Sequence, residues 1–308
     1  MENRKFRLVT RSDMDGLVCA VLFRKMDMID EILFVHPKDM QDGKIEITDR
    51  DITTNLPYVE GVHLAFDHHQ SEIIRNEPKS NYIIDPKAPS ASRVVYEYYG
   101  GRKRFPDISI EMMEAVDKAD SAQFTRDEIL NPKGWVLLNF IMDPRTGLGR
   151  FKEFRISNYE LMMKLIDYCK DHSINQILKL PDVRERIELL ERYEYEFREQ
   201  LVRCSRLYDN IIVFDLRGEE IIYPGNRFMI YAIFPEQNIS IHVLWGLKRV
   251  NTVLAVGKSI INRDSKANIG ALMLKYGGGG HPAAGTCQIV HEKVDKVLDE
   301  IIESLRFS

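Results

Sequence analysis

The chain has 308 residues, 44% of them hydrophobic and 29% charged, and a formal net charge of −4. That length can bury the cores of two compact domains, and no apolar run approaches the roughly 20 residues a membrane-spanning helix needs. The acidic balance excludes a broad electrostatic grip on duplex nucleic acid, so an anionic substrate is expected to be small or held by local positive features. Met1-Glu2-Asn3-Arg4-Lys5 leads into a strand-like segment rather than a signal-peptide core, and the expected location is cytoplasmic. Cys19, Cys169, Cys204 and Cys287 are far apart and form no CxxC pair, which indicates neither a zinc knuckle nor a disulfide framework.

The N-terminal half alternates between strand and helix. Phe6-Arg7-Leu8-Val9-Thr10 reads as a buried strand, and Leu17 through Met26, apolar on nearly every side, as a helix enclosed by a sheet and its neighbours. Further strands are expected at 32–35, 45–47 and 62–66, with helices around 92–99, 110–118, 132–142 and 159–169. This order predicts a parallel α/β sheet with helices on both faces, whose ligands lie beyond the carboxyl ends of the strands. Residues 182–208 then read as one charge-rich helix with an apolar stripe at Val183, Ile187, Leu190, Tyr193, Phe197, Leu201 and Cys204. Such a helix is either a connector packed on a domain or the seam of a homodimer. It divides the chain into a domain 1–181, a connector 182–208 and a smaller α/β domain 209–308. The last has strands at 211–214, 239–244 and 250–256 and helices at 267–276 and 293–305.

Residues that carry chemistry gather at expected strand ends. Asp13-Met14-Asp15-Gly16 sets two carboxylates one residue apart between a strand and a buried helix, where they could share a hard divalent cation or form a capped turn. Asp49 follows the strand expected at 45–47 and could add a ligand there, with Asp51 as a less well placed substitute, or be a turn residue. Asp67-His68-His69 ends the apolar run 62–66, which suggests a metal or phosphate site or a capped turn. Asp120 is preferred over Asp117 as a further ligand because it stands at a helix exit. Several carboxylates with one imidazole suit Mn²⁺, or Mg²⁺, better than zinc. Near the other end, Gly277-Gly278-Gly279-Gly280 followed by His281 allows backbone N–H groups to converge on a phosphate or carboxylate, with a flexible linker as the alternative. Arg263 could grip a phosphate in bidentate fashion or pair with a neighbouring acid.

Taken in order, Asp13-x-Asp15-Gly16, Asp49, Asp67-His68-His69, Asp120-Ser-Ala-Gln-Phe and Gly277 to Gly285 resemble the DHH phosphoesterase superfamily with its DHH-associated C-terminal domain. Within it the chain is similar to short-oligonucleotide hydrolases, called nanoRNases, and to cyclic-dinucleotide phosphodiesterases. The resemblance implies two Mn²⁺ ions on Asp13, Asp15, Asp49, His68 and Asp120, with Asp49 bridging, Asp67 orienting His68 and His69 meeting the substrate phosphate. It implies that Gly278, Gly279, Gly280, His281 and Arg263 hold the rest of a short oligonucleotide or dinucleotide, which metal-activated water hydrolyses to mononucleotides. A pyrophosphatase or exopolyphosphatase activity, or a catalytically silent nucleotide-binding protein, is the alternative. One departure stands out: where the family commonly has a histidine two residues before the first aspartate, this chain has Arg11. A guanidinium stays protonated and cannot ligate a metal. Arg11 therefore puts the first metal position in question, or occupies one ion's space and contacts phosphate directly.

Overall fold

The structure, a computed structural model, describes residues 4–308, the side chains of Ser71 and Ile74 excepted. Met1 to Asn3, which begin the segment behind the cytoplasmic expectation, lie outside the described residues. The chain divides into two compact units, one of residues 1–123 and 132–188 and the other of 124–131 and 189–308. Among the described residues no helix is long and apolar enough to cross a membrane.

The first unit is built on five strands, β1 (Phe6–Thr10), β2 (Ile29–Phe34), β3 (Asp51–Thr54), β4 (Leu64–Asp67) and β5 (Tyr82–Ile84). They lie in the order 2-1-3-4-5, and every neighbouring pair is parallel. Parallel strands covered by helices must be apolar along their length, and Leu8, Val9, Ile52, Ala65 and Phe66 are all buried. The helix Met14–Lys25 is enclosed as its composition predicts, with Leu17 to Phe23 at 0% exposure, and it packs on the helices Ala91–Tyr98, Ile110–Asp120 and Asn158–Asp171. In this strand order β2 and β3 flank β1 on opposite sides, so the direction in which strands are added reverses there. The crevice outside the carboxyl ends of β1 and β3 is therefore the place where such a fold accepts a ligand.

Two expectations fail here for physical reasons. The strand expected at 45–47 is not one; Ile45 and Ile47 pack loosely against Val9, Met40 and Leu56, and the ladder is taken by Asp51–Thr54. This strand is buried at all four positions despite three polar residues; Asp51 and Thr54 find partners inside the fold, while the buried Thr53 hydroxyl has no hydrogen bond among the described residues. Arg7 Nε lies 2.6 Å from Asp51 Oδ1, and Thr54 Oγ1 donates to Thr10 Oγ1 at 2.7 Å. The helix expected over 182–208 is also broken. Pro181–Arg192 and Glu194–Arg203 are separate helices, Tyr193 between them has left helical geometry, and Ser205–Tyr208 is a strand, β6.

The second unit holds a six-stranded sheet of β6, β7 (Ile211–Asp215), β8 (Ile239–Trp245), β9 (Thr252–Lys258), β10 (Gly279–His281) and β11 (Ala284–Ile289), in the order 10-11-9-8-7-6. Of its neighbouring pairs only β7 and β8 run parallel. Ile239, Ile241 and Val243 alternate into a core that the helices Ile269–Leu274 and Val294–Leu305 complete.

The glycine run has a local explanation in this unit. After the helix Ile269–Leu274, Gly277 turns left-handed (φ +74°) and its N–H bonds the Leu274 carbonyl, while the N–H of Gly278 bonds the Met273 carbonyl. These two bonds make a Schellman cap, which closes the helix on its own orphan carbonyls. A side chain at Gly278 would put its Cβ 2.0 Å from the Thr286 carbonyl oxygen, whereas at Gly279 the nearest atom would be 4.0 Å away. We therefore expect Gly278→Ala to lower stability by about 2 kcal/mol and Gly279→Ala by under ~1 kcal/mol in chemical unfolding. Equal losses would contradict this assignment.

Candidate metal centre

Asp13, Asp15, His68, His69 and Asp120 all belong to the first unit and are set by the ends of its strands and helices. Asp13 caps the helix Met14–Lys25, with Oδ1 accepting from the Gly16 N–H at 3.0 Å. Glycine is needed there, since a Cβ at Gly16 would lie 2.0 Å from the Arg11 carbonyl oxygen. The other oxygen of Asp13, Oδ2, is 3.1 Å from Arg11 Nε. Asp15 is buried, and its two oxygens accept from the backbone N–H groups of Ala91 (3.1 Å) and Ser92 (2.8 Å), in the first turn of the helix Ala91–Tyr98. A carboxylate is favoured at such a helix start.

His68 follows β4, and its Nδ1 lies 3.2 Å from the Ala88 carbonyl oxygen. That contact assigns the proton to Nδ1 in the neutral ring and turns Nε2 toward Asp120, whose Oδ2 is 2.8 Å away. Nε2 is buried and makes no aligned hydrogen bond among the described residues, close though that oxygen is. One ligand atom each from Asp15, His68 and Asp120 lie within 4.8 Å of one another. Two carboxylates and an imidazole edge converging in this way fit a single divalent cation of the Mn²⁺ or Mg²⁺ kind. Asp67, His68 and His69 form a second such group. Here Asp67 Oδ1 is already taken by the N–H groups of His68 (2.7 Å) and His69 (3.2 Å) and by His69 Nδ1 (2.7 Å), and Oδ2 by the Tyr82 hydroxyl (3.2 Å).

Asp67 therefore orients the ring of His69, not that of His68 as the resemblance implied. Asp120 rather than Asp117 joins the cluster because Asp117 is spent on Arg93 and Ser90. Asp49 is not brought to the centre. It precedes β3 and so stands at the amino edge of the sheet, exposed and paired with Arg4 at 2.8 Å. The residue at the carboxyl end of the same strand is Asn55, left-handed (φ 55°), 1% exposed, with neither side-chain amide atom hydrogen-bonded among the described residues. Its strand lies between those leading to Asp13 and ending at Asp67. The β-branched run Ile52-Thr53-Thr54 was the signal that could have found it. Arg145 was also missed; its Nε sits 2.7 Å from Asp143 Oδ1, and its guanidinium feels the charges of Asp13 and Asp120 without pairing with either. In the second unit, Arg263 is exposed and its Nε donates to the Ile260 carbonyl. The N–H of Gly278 is committed to its helix cap, so it does not join an anion cradle. Gly279, Gly280 and His281 form β10.

Crowded carboxylates leave an electrostatic mark. Burial first, then Asp120, pushes Asp15 up to about 7, and burial also raises Asp13 against the pull of Arg11. Burial would lower His68, but the contact and charge of Asp120, with Asp15 and Asp67 behind it, outweigh that and raise it to about 9. Asp120, which burial would raise, is held low by His68. His68 and Asp120 thus each favour the charged form of the other.

The fold recurs in solved proteins. RecJ from Thermus thermophilus, in its Mn²⁺ complex, aligns over 100% of this chain and 53% of that chain at 13% identity and a TM-score of 0.57, a likeness of fold. The pGpG-specific phosphodiesterase PggH from Vibrio cholerae is 60% identical over 98% of this chain and 99% of that chain, with a TM-score of 0.85. The chain belongs to the DHH phosphoesterase superfamily. No family model and no curated protein matches it.

For the DHH centre, ligation must displace protons. Between pH 7 and 9 a cation displaces the proton on His68, and below 7 also the one on Asp15. The affinity for Mn²⁺ should therefore rise about 10-fold per pH unit between 7 and 9, fall about 100-fold per unit below 7, and level off above 9. Calorimetric titration across this range checks it; an affinity independent of pH would contradict it.

Proposed function

We propose that this chain is a divalent-cation-dependent phosphodiesterase of the cytoplasm that hydrolyses a short linear dinucleotide of the pGpG kind to mononucleotides, with Mn²⁺ as its working ion and Mg²⁺ as a substitute. The observation that carries this reading is the 60% identity, over 98% of the chain, to a pGpG-specific phosphodiesterase. In the reaction the oxygen of water joins phosphorus, the bond from phosphorus to the 3′ oxygen breaks, and that oxygen takes a proton. Two 5′-mononucleotides result.

Asp15, His68 and Asp120 would hold the ion, the two carboxylates together balancing its charge. A bound divalent cation supplies positive charge to a phosphoryl oxygen and lowers the pKa of water. Asp67 fixes the ring of His69, which we assign to the substrate phosphate. Holding that ring in one orientation keeps its contact in place before the substrate arrives. Gly279, Gly280, His281 and Arg263 are the proposed contacts for the rest of the nucleotide, a role that rests on the resemblance of their motif.

The test offers purified protein with Mn²⁺ a labelled linear dinucleotide, a cyclic dinucleotide, pyrophosphate and short polyphosphate. Turnover of pGpG to GMP is expected to dominate. His68→Ala should reduce kcat/KM by more than the roughly 10- to 100-fold that loss of an outer partner of a ligand costs. Cleavage of only the inorganic substrates would replace this reading with a phosphoanhydride hydrolase, and tight nucleotide binding without turnover would replace it with a sensor.

A further inference from the structure

The donor set of this centre fits one cation and does not fit two. Two ions in a hydrolytic site sit about 3.5–4 Å apart and need a negatively charged ligand between them to offset their repulsion. Asp15 and Asp120 neutralise one divalent charge. A second ion would fall to Asp13, whose Oδ1 caps a helix and whose Oδ2 is held by Arg11. The carboxyl end of β3, between the strands that lead to Asp13 and end at Asp67, carries the neutral amide of Asn55 where a carboxylate could bridge. Asp49, the acid to which the resemblance gives that role, is at the opposite edge of the sheet.

What stands beside Asp13 instead is fixed positive charge. Arg11 pairs with it directly, and Arg145, held by Asp143, is near enough for its charge to act on Asp13 and Asp120. Neither guanidinium is closed off: the Arg11 side chain is 32% exposed and that of Arg145 is 55% exposed. Both are planar donors suited to the oxygens of a phosphate. We infer that this centre works with a single divalent cation, and that Arg11 and Arg145 stand in for a second ion by gripping the scissile phosphate from the side of Asp13.

Asp13 in this arrangement is the counter-charge that holds Arg11 before substrate arrives, and Asn55 puts a neutral amide at the carboxyl end of β3, which does not call for another cation. The inference rests on the phosphodiesterase reading for its substrate but not for its ion count. That difference makes the two separable.

Titration calorimetry and electron paramagnetic resonance with Mn²⁺ alone read the count directly. The wild-type chain should take one ion and show the spectrum of an isolated Mn²⁺. The double variant Arg11→His, Asn55→Asp should take two and show spin coupling between them. Arg145→Gln should keep one ion and raise KM for pGpG by about 10- to 100-fold, the worth of a charge-assisted contact. A wild-type chain that hydrolyses pGpG with two bound ions overturns the inference and leaves the phosphodiesterase reading standing. One ion bound without hydrolysis does the reverse. A folded double variant that still holds one ion would also overturn the roles given to Arg11 and Asn55; if it does not fold, the wild-type count and Arg145→Gln decide.

Discussion

The centre depends on the burial of Asp15. Its carboxylate, one residue into the first helix, is gripped by the N–H groups of Ala91 and Ser92 at the start of another, so a single side chain ties two helices of the first unit together. Those amides hold a negative charge where burial and two other acids oppose it. The outcome is a carboxyl poised at about 7 rather than a fully relaxed ion. The charge of His68 and the contact with Ser92 pull against that rise. The same carboxylate is thus a structural tie and the reason the site attracts a cation.

Arg11 changes what the rest of the cluster can do. In the single-ion arrangement inferred above, its pairing with Asp13 withdraws one carboxylate from the ligands and adds a permanent charge beside it. A metal ion can leave and be replaced, whereas a guanidinium is always present and always charged. A centre built from one ion and two arginines trades the stronger field of a second divalent cation for a fixed fork of donors. That suits recognition of a substrate as small as a dinucleotide, whose few phosphates must be placed by direct contacts.

Much of this was legible in the residues. Asp13, Asp15, His68 and Asp120 could be picked out as candidates because each sits at the end of a segment whose apolar pattern is plain, and the fold brings Asp15, His68 and Asp120 together. Asn55 was not, because its strand hides its burial: Asp51, Thr53 and Thr54 look polar, and it is the pairing of Asp51 with Arg7 and of Thr54 with Thr10 that lets the strand lie in the core. The more apolar run at 45–47 drew the strand, and with it the bridging acid, to the wrong edge of the sheet. The partner of His68 could not be read either, since the Ala88 carbonyl comes from backbone twenty residues on and leaves no trace in side-chain type. In the glycine run, composition announced conformational freedom correctly but could not tell an anion cradle from a helix cap. Both use the left-handed region and closely spaced N–H groups; the bonds of Gly277 and Gly278 serve a cap, and only the residues after them keep the proposed substrate role.

The central claim is the place of the ion, and anomalous diffraction at the manganese edge from crystals soaked in Mn²⁺ tests it most directly. The account expects a peak bounded by the carboxylates of Asp15 and Asp120 and by Nε2 of His68, with none at Asp49. A peak on Asp49 at the amino edge of the sheet, or no peak among Asp15, His68 and Asp120, would contradict it.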